Sequence, residues 1–163
     1  MKTSSYILLS VILMIFESAL SSFLPAEFFK PDVGIPFIIY TTLFLGPETG
    51  FIATLIISLF QEVLSNTPSG SMIFTKISIY LLITFLRGKL FIDSKYSFSY
   101  ICGGSVVVES VIFIVLSLLT KGEIKNVMNV LFYIIPNAIF TGFVAIFIFS
   151  FIEYINMKFL SRE

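Results

Sequence analysis

Strongly polar side chains are sparse in this chain, and their positions limit the chemistry it could perform. Glu17, Lys76 and Glu109 fall inside long apolar runs, and Asn137 lies in another. One stretch is denser: Ser58-Leu-Phe-Gln61-Glu62-Val-Leu-Ser65-Asn66-Thr67-Pro68-Ser69-Gly70, with Lys76 shortly after it. It reads as the end of one membrane helix, a tight turn and the start of the next. A charge in hydrocarbon costs at least a few kcal/mol, so each asks for a partner or a watery cavity. Glu62 and Lys76 fall at similar depth on adjoining helices, and a Glu62–Lys76 ion pair pinning the hairpin is expected. The plainer alternative has Glu62 capping the outer surface while Lys76 extends its stem to the interface. Glu17 and Glu109 could share a site with Lys76, take up a proton on desolvation, or face a cavity.

Catalysis is not expected. The chain has no histidine, which removes the commonest general base and the commonest transition-metal ligand together. No nucleophile–base pair, metal-ligand set or glycine-rich phosphate loop is present, so neither a metal nor a cofactor is expected. The buried acids leave a proton-linked carrier open as a weaker reading. Formal net charge is zero, which gives no footprint for nucleic acid. Cys102 is the single cysteine, so there is no internal disulfide and no sign of redox chemistry.

The elements that must position these groups follow from composition. A chain of 163 residues has room for a single domain, residues 1–163. It is 57% hydrophobic and only 12% charged, against about 25% charged in ordinary soluble domains. An all-α integral membrane protein is the expected class. Tyr6 to Leu24 is long enough to span, although Lys2, the apolar core and Ser18-Ala19-Leu-Ser21 also allow a cleaved signal peptide. Pro25 to Asp32 reads as a loop, and Pro31 fits the first turn of a second helix. That helix, Val33 to Leu45, would cover only about 20 Å and spans if the membrane is thin. Gly46-Pro47-Glu48 opens a third helix ending near Leu64 or Ser65. A fourth runs from Pro68 to Leu86 with Thr67 as its N-cap. A fifth follows from Ser97 to Leu119, and a sixth from Val127 past Ile152 with a kink at Pro136.

Six transmembrane helices result. With the N-terminus inside, six Lys/Arg residues (Lys2, Arg87, Lys89, Lys95, Lys158, Arg162) fall on the inner side. Three (Lys30, Lys121, Lys125) fall outside, so both termini are expected in the cytoplasm. With no tryptophan, an interfacial aromatic belt must come from tyrosines such as Tyr6, Tyr96, Tyr100 and Tyr154. Thr54, Ser58 and Glu62 form one polar stripe at four-residue spacing, and Ser105 with Glu109 and Asn137 with Thr141 form others. Small hydroxyls of this kind, with Gly103-Gly104, Ala138 and Gly142, point first to close helix packing. Adjacent Gln61 and Glu62 face different directions and need separate partners.

Taken in order, Pro31-Asp32-Val33, Gln61-Glu62-Val-Leu-Ser65 and Pro68-Ser69-Gly70 resemble the pattern of the rod-shape-determining MreD family. There a Pro-Asp opens the second helix, and a Gly-x-x-Gln-Asp end to the third is followed by Pro-x-Gly. The likeness extends over nearly the whole chain in length and spacing. Ser58 stands where glycine is frequent in the family, Glu62 replaces the aspartate, and Glu17 takes a place where glutamine is often seen. The resemblance implies a non-catalytic component of the cell-elongation machinery in the bacterial cytoplasmic membrane. Its implied partners are an MreC-like single-span protein, an MreB-type filament, the peptidoglycan polymerase and transpeptidase, and membrane lipid. It also implies a fold similar to the S-components of energy-coupling-factor transporters. Two functions are therefore expected to compete. One is a scaffold that binds partners through small-residue grooves and the Gln61, Glu62, Pro68, Gly70, Lys76 hairpin. The other is a vitamin-type solute-binding subunit with Glu17, Lys76, Glu109 and Asn137 lining a pocket.

Overall fold

The computed structural model describes residues 2–23, 32–64, 70–90, 92–120, 124–155 and 157. The described residues form helices and their connections, with no strand among them. Helix α1 spans Lys2–Phe23, α2 Gly34–Tyr40, α3 Pro47–Leu64, α4 Ser71–Leu86, α5 Lys95–Thr120 and α6 Ile124–Ile155. Within α3, α5 and α6, the segments Pro47–Leu64, Lys95–Leu116 and Leu131–Ile155 are long and apolar enough to cross a bilayer. Tyr6–Ala19, Gly34–Leu45 and Ser71–Leu86 are apolar but shorter. Large apolar side chains such as Phe85, Phe132 and Phe147 face outward, as a lipid-facing surface requires.

The short second segment turns out to be the axis of the bundle. Every residue from Val33 to Thr42 is buried, and α2 packs against all five other helices. Its sequence, Gly-Ile-Pro-Phe-Ile-Ile-Tyr, is apolar all round, which suits a helix enclosed on every side. Ile35, Phe37, Ile38 and Ile39 form the core with Ile57 of α3, Ile79 and Ile83 of α4, Phe98 and Cys102 of α5 and Ile152 of α6. A π-helical turn, Thr41–Leu45, continues α2. Widening a helix in this way disturbs its carbonyl pairing. Two hydroxyls compensate: Thr41 Oγ1 donates to the Phe37 and Ile38 carbonyls at 2.9 and 3.0 Å. Thr42 Oγ1 donates to Ile38 at 2.7 Å. At this end, Tyr40 packs edge-on against Phe98 and Phe149 at 6.3 and 5.8 Å between ring centres, tying α2 to α5 and α6.

Helices α5 and α6 form an antiparallel hairpin. A Cβ on Gly103 would sit 3.2 Å from the Ala138 carbonyl, and Ser99 Oγ donates to the Gly142 carbonyl at 2.7 Å. The small residues thus permit close approach as expected, except Gly104, which faces open space. Two further expectations change. Tyr6 is 3% exposed and belongs to the core, so only Tyr96, Tyr100 and Tyr154 have the exposure that a surface belt requires. Helix α4 starts at Ser71, because Gly70 before it is left-handed with φ 87°, and not at Pro68. Pro136 lies inside α6, as expected. Pro31, Thr67 and Pro68 lie outside the described residues.

Candidate functional site: a charged cluster inside the bundle

Gln61 and Glu62 end α3 side by side. At 3.6 residues per turn they point about 100° apart, and they serve different structures. Glu62 turns toward α4, where its carboxylate accepts the N–H of Gly70 and, at 3.0 Å, that of Met72. Those are donors that the first turn of a helix leaves without intrahelical partners, and an acid is favoured there by the helix dipole. The left-handed turn at Gly70, which costs glycine little, is thereby closed by a side chain from the preceding helix.

Gln61 points inward. Its Nε2 donates to Glu17 Oε1 at 2.9 Å and to Asp32 Oδ1 at 3.3 Å. Asp32 precedes α2 and accepts the Ile35 N–H at 3.0 Å, the bond expected of a residue opening a helix. Its own N–H donates to Thr141 Oγ1 on α6 at 3.2 Å. The second oxygen of Asp32 pairs with the ammonium of Lys76. Lys76 also pairs with Glu109 of α5 at 2.6 Å. The chain of contacts Glu17–Gln61–Asp32–Lys76–Glu109, with Thr141, draws one group from each helix or its start.

The expected Glu62–Lys76 pair is therefore replaced. Lys76 is wholly buried, while the side chains of Asp32 and Glu109 are 18% and 14% exposed. From α4 the lysine faces the bundle axis, and Glu62 sits over the turn. Asp32 reaches this depth because α2 starts inside the bundle: α5 continues from Glu109 to Thr120, about 16 Å further. Asp32 therefore does more than open a helix: it pairs with Lys76 and accepts from Gln61. The available signal was that Asp32 is the acid adjoining a second segment too short to span, so that its helix start must lie within the apolar layer.

Gly34 makes the junction possible. A Cβ there would stand 2.7 Å from Ile57 Cγ2, 3.1 Å from Asp32 Oδ1 and 3.2 Å from Gln61 Nε2. Thr54 and Ser58 are buried but donate within their own helix, to Gly50 at 2.7 Å and Leu55 at 3.0 Å, so they serve packing. Ser105 donates likewise to Ile101 at 2.9 Å. Of the residues expected to line a cavity, Glu17 and Glu109 join the cluster. Asn137 Oδ1 is buried without a hydrogen-bond partner, as are Glu17 Oε2 and Gln61 Oε1. Among the described residues no group of three or more His, Cys, Asp or Glu is arranged to hold a metal ion. No family model, curated protein or solved structure matches the chain.

Proposed function

We propose that this chain is a non-catalytic, six-span membrane scaffold of the MreD type in the bacterial cytoplasmic membrane, with both termini in the cytoplasm. In that role it would link an MreC-like single-span protein, MreB-type filaments and the side-wall peptidoglycan polymerase and transpeptidase. One observation carries the reading. Residues of the family-like motifs meet in the folded chain: Asp32 contacts Gln61 from a distant part of the sequence, and Glu62 closes the local turn at Gly70. Motifs that brace the interior on one side and close a helix turn on the other suit a rigid platform for partner helices. Lys76, the interior cation, is matched by protein carboxylates, so it need not await an anionic solute.

A solute-binding subunit similar to the S-components remains the second reading. The buried, partnerless Asn137 Oδ1 favours it, because a ligand donor would satisfy that atom. A pull-down of the full chain from native membranes separates the two. A scaffold recovers wall-elongation proteins, and Gln61→Ala/Glu62→Ala weakens their recovery. Recovery of an ATPase and a membrane coupling subunit in their place would assign the chain to transport. Unchanged recovery of wall-elongation proteins by the double variant would remove the hairpin from the interface.

A further inference from the structure

Three carboxylates, Glu17, Asp32 and Glu109, act on one another in the bundle interior beside a single ammonium among the described residues, that of Lys76. Asp32 and Glu109 touch that ammonium directly. Glu17 does not. Its hydrogen bond is to the Gln61 amide, which it shares with Asp32. The other oxygen of Glu17 is buried with no hydrogen-bond partner, and so is the carbonyl oxygen of the Gln61 amide that bonds Glu17. A buried ionised oxygen lacking a donor is among the costlier states a polar atom can adopt. Carboxylates crowded into one site avoid this by keeping a proton among them.

We propose that the interior cluster is a proton-binding site, with the proton carried by Glu17 on the oxygen that has no donor. Uptake is a proton transfer: an O–H bond of hydronium breaks as the O–H bond on the Glu17 carboxylate forms, water is released, and no other co-reactant is needed. It turns an acceptor without a donor into an O–H donor and leaves the Gln61 carbonyl as an acceptor in the same side-chain pair. It also removes one of the negative charges that Lys76 cannot balance. The groups facing Glu17 are Gln61 from α3, Asp32 ahead of α2, Lys76 from α4 and Glu109 from α5. Glu62, although next to Gln61, is turned to the Gly70 turn. The bond from Glu17 to Gln61 joins α1 to α3, so the proton sits at the attachment of the first helix. The inference goes beyond the scaffold reading and stands whether or not that reading holds.

Infrared spectroscopy of the full chain in nanodiscs of neutral lipid tests this at neutral pH. The expected result is a protonated-carboxyl C=O band that shifts on labelling with 13C-glutamate. It is lost in Glu17→Gln and kept in Glu109→Gln and in the surface control Glu153→Gln. Absence of the band in the wild-type chain overturns the proposal without need of any variant. So does a band that fails to shift with labelled glutamate or persists in Glu17→Gln. Loss of the band when sodium replaces potassium at fixed pH would assign the site to a metal cation and equally overturn it.

Discussion

The ammonium of Lys76 meets two carboxylates from two other parts of the chain, so deleting it differs from deleting either partner. Lys76→Met leaves Asp32 and Glu109 facing each other in a buried site. Removing one member of such a set costs about 3–5 kcal/mol. Asp32→Asn and Glu109→Gln each leave one ion pair intact and are expected to cost less. Adding both to Lys76→Met should recover part of the loss, because no unpaired charge then remains on that side. Thermal unfolding in detergent gives the ranking, and Lys76→Met milder than Asp32→Asn would contradict it. Glu62→Gln should add to Lys76→Met without coupling, since the two side chains serve different places. Gly34 gives a second prediction. Gly34→Ala drives a methyl into Ile57, with an overpacking cost of about 1–3 kcal/mol. An Ile57→Ala background should shrink that cost, and an equal loss in both backgrounds would refute the contact. At this scale the sequence showed which groups needed partners, but not which partner each takes. Depth along a span is readable from residue counts, whereas rotation about the bundle axis is set by packing.

The turn between α3 and α4 shows how a helix end can be completed by its neighbour. Glu62 reaches back over Gly70 and Met72, doing what an N-cap would do from within α4. Glu62→Gln keeps an acceptor but loses the charge, and Glu62→Ala loses both. The expected order of hairpin stability is therefore wild type, then Gln, then Ala, with the full loss about 0.5–2 kcal/mol. Hydrogen exchange at Met72 reads this locally, and equal protection in all three would rule the cap out. On the other side, Ser99→Ala removes a bond between α5 and α6, worth about 0.6–2 kcal/mol between membrane helices. All the helices were legible from apolar run length and turn residues. The place of α2 was not. A run of its length reads as a marginal span, and only its uniformly apolar sequence hinted at a segment enclosed on all sides. Helix α4 is shorter than its sequence suggests. Pro68 is a good first-turn residue, but the left-handed Gly70 defers the start to Ser71.

Across the whole molecule, polarity is inverted relative to a soluble domain: charges meet at the centre and apolar side chains face out. The proposed six-span topology predicts, from the bias of Lys and Arg, that Arg87, Lys89 and Lys95 lie in the cytoplasm. Cys102 makes this easy to test, since it is fully buried and should not react with a membrane-impermeant maleimide. Single cysteines can therefore be added without removing it. Lys89→Cys, in an exposed turn, should label only after the cytoplasmic membrane is permeabilised. Lys121→Cys, on the opposite side in the six-span arrangement, should label from outside. Reactivity of Lys89→Cys from outside would reverse the orientation. Labelling of both positions from one side would remove a span between them, and α5 would then have to lie within the membrane without crossing it. That outcome conflicts with the apolar Lys95–Leu116 segment, which is long enough to cross. It would also detach Glu109 from the depth at which Lys76 holds it, so the labelling pattern and the central ion pairs stand or fall together.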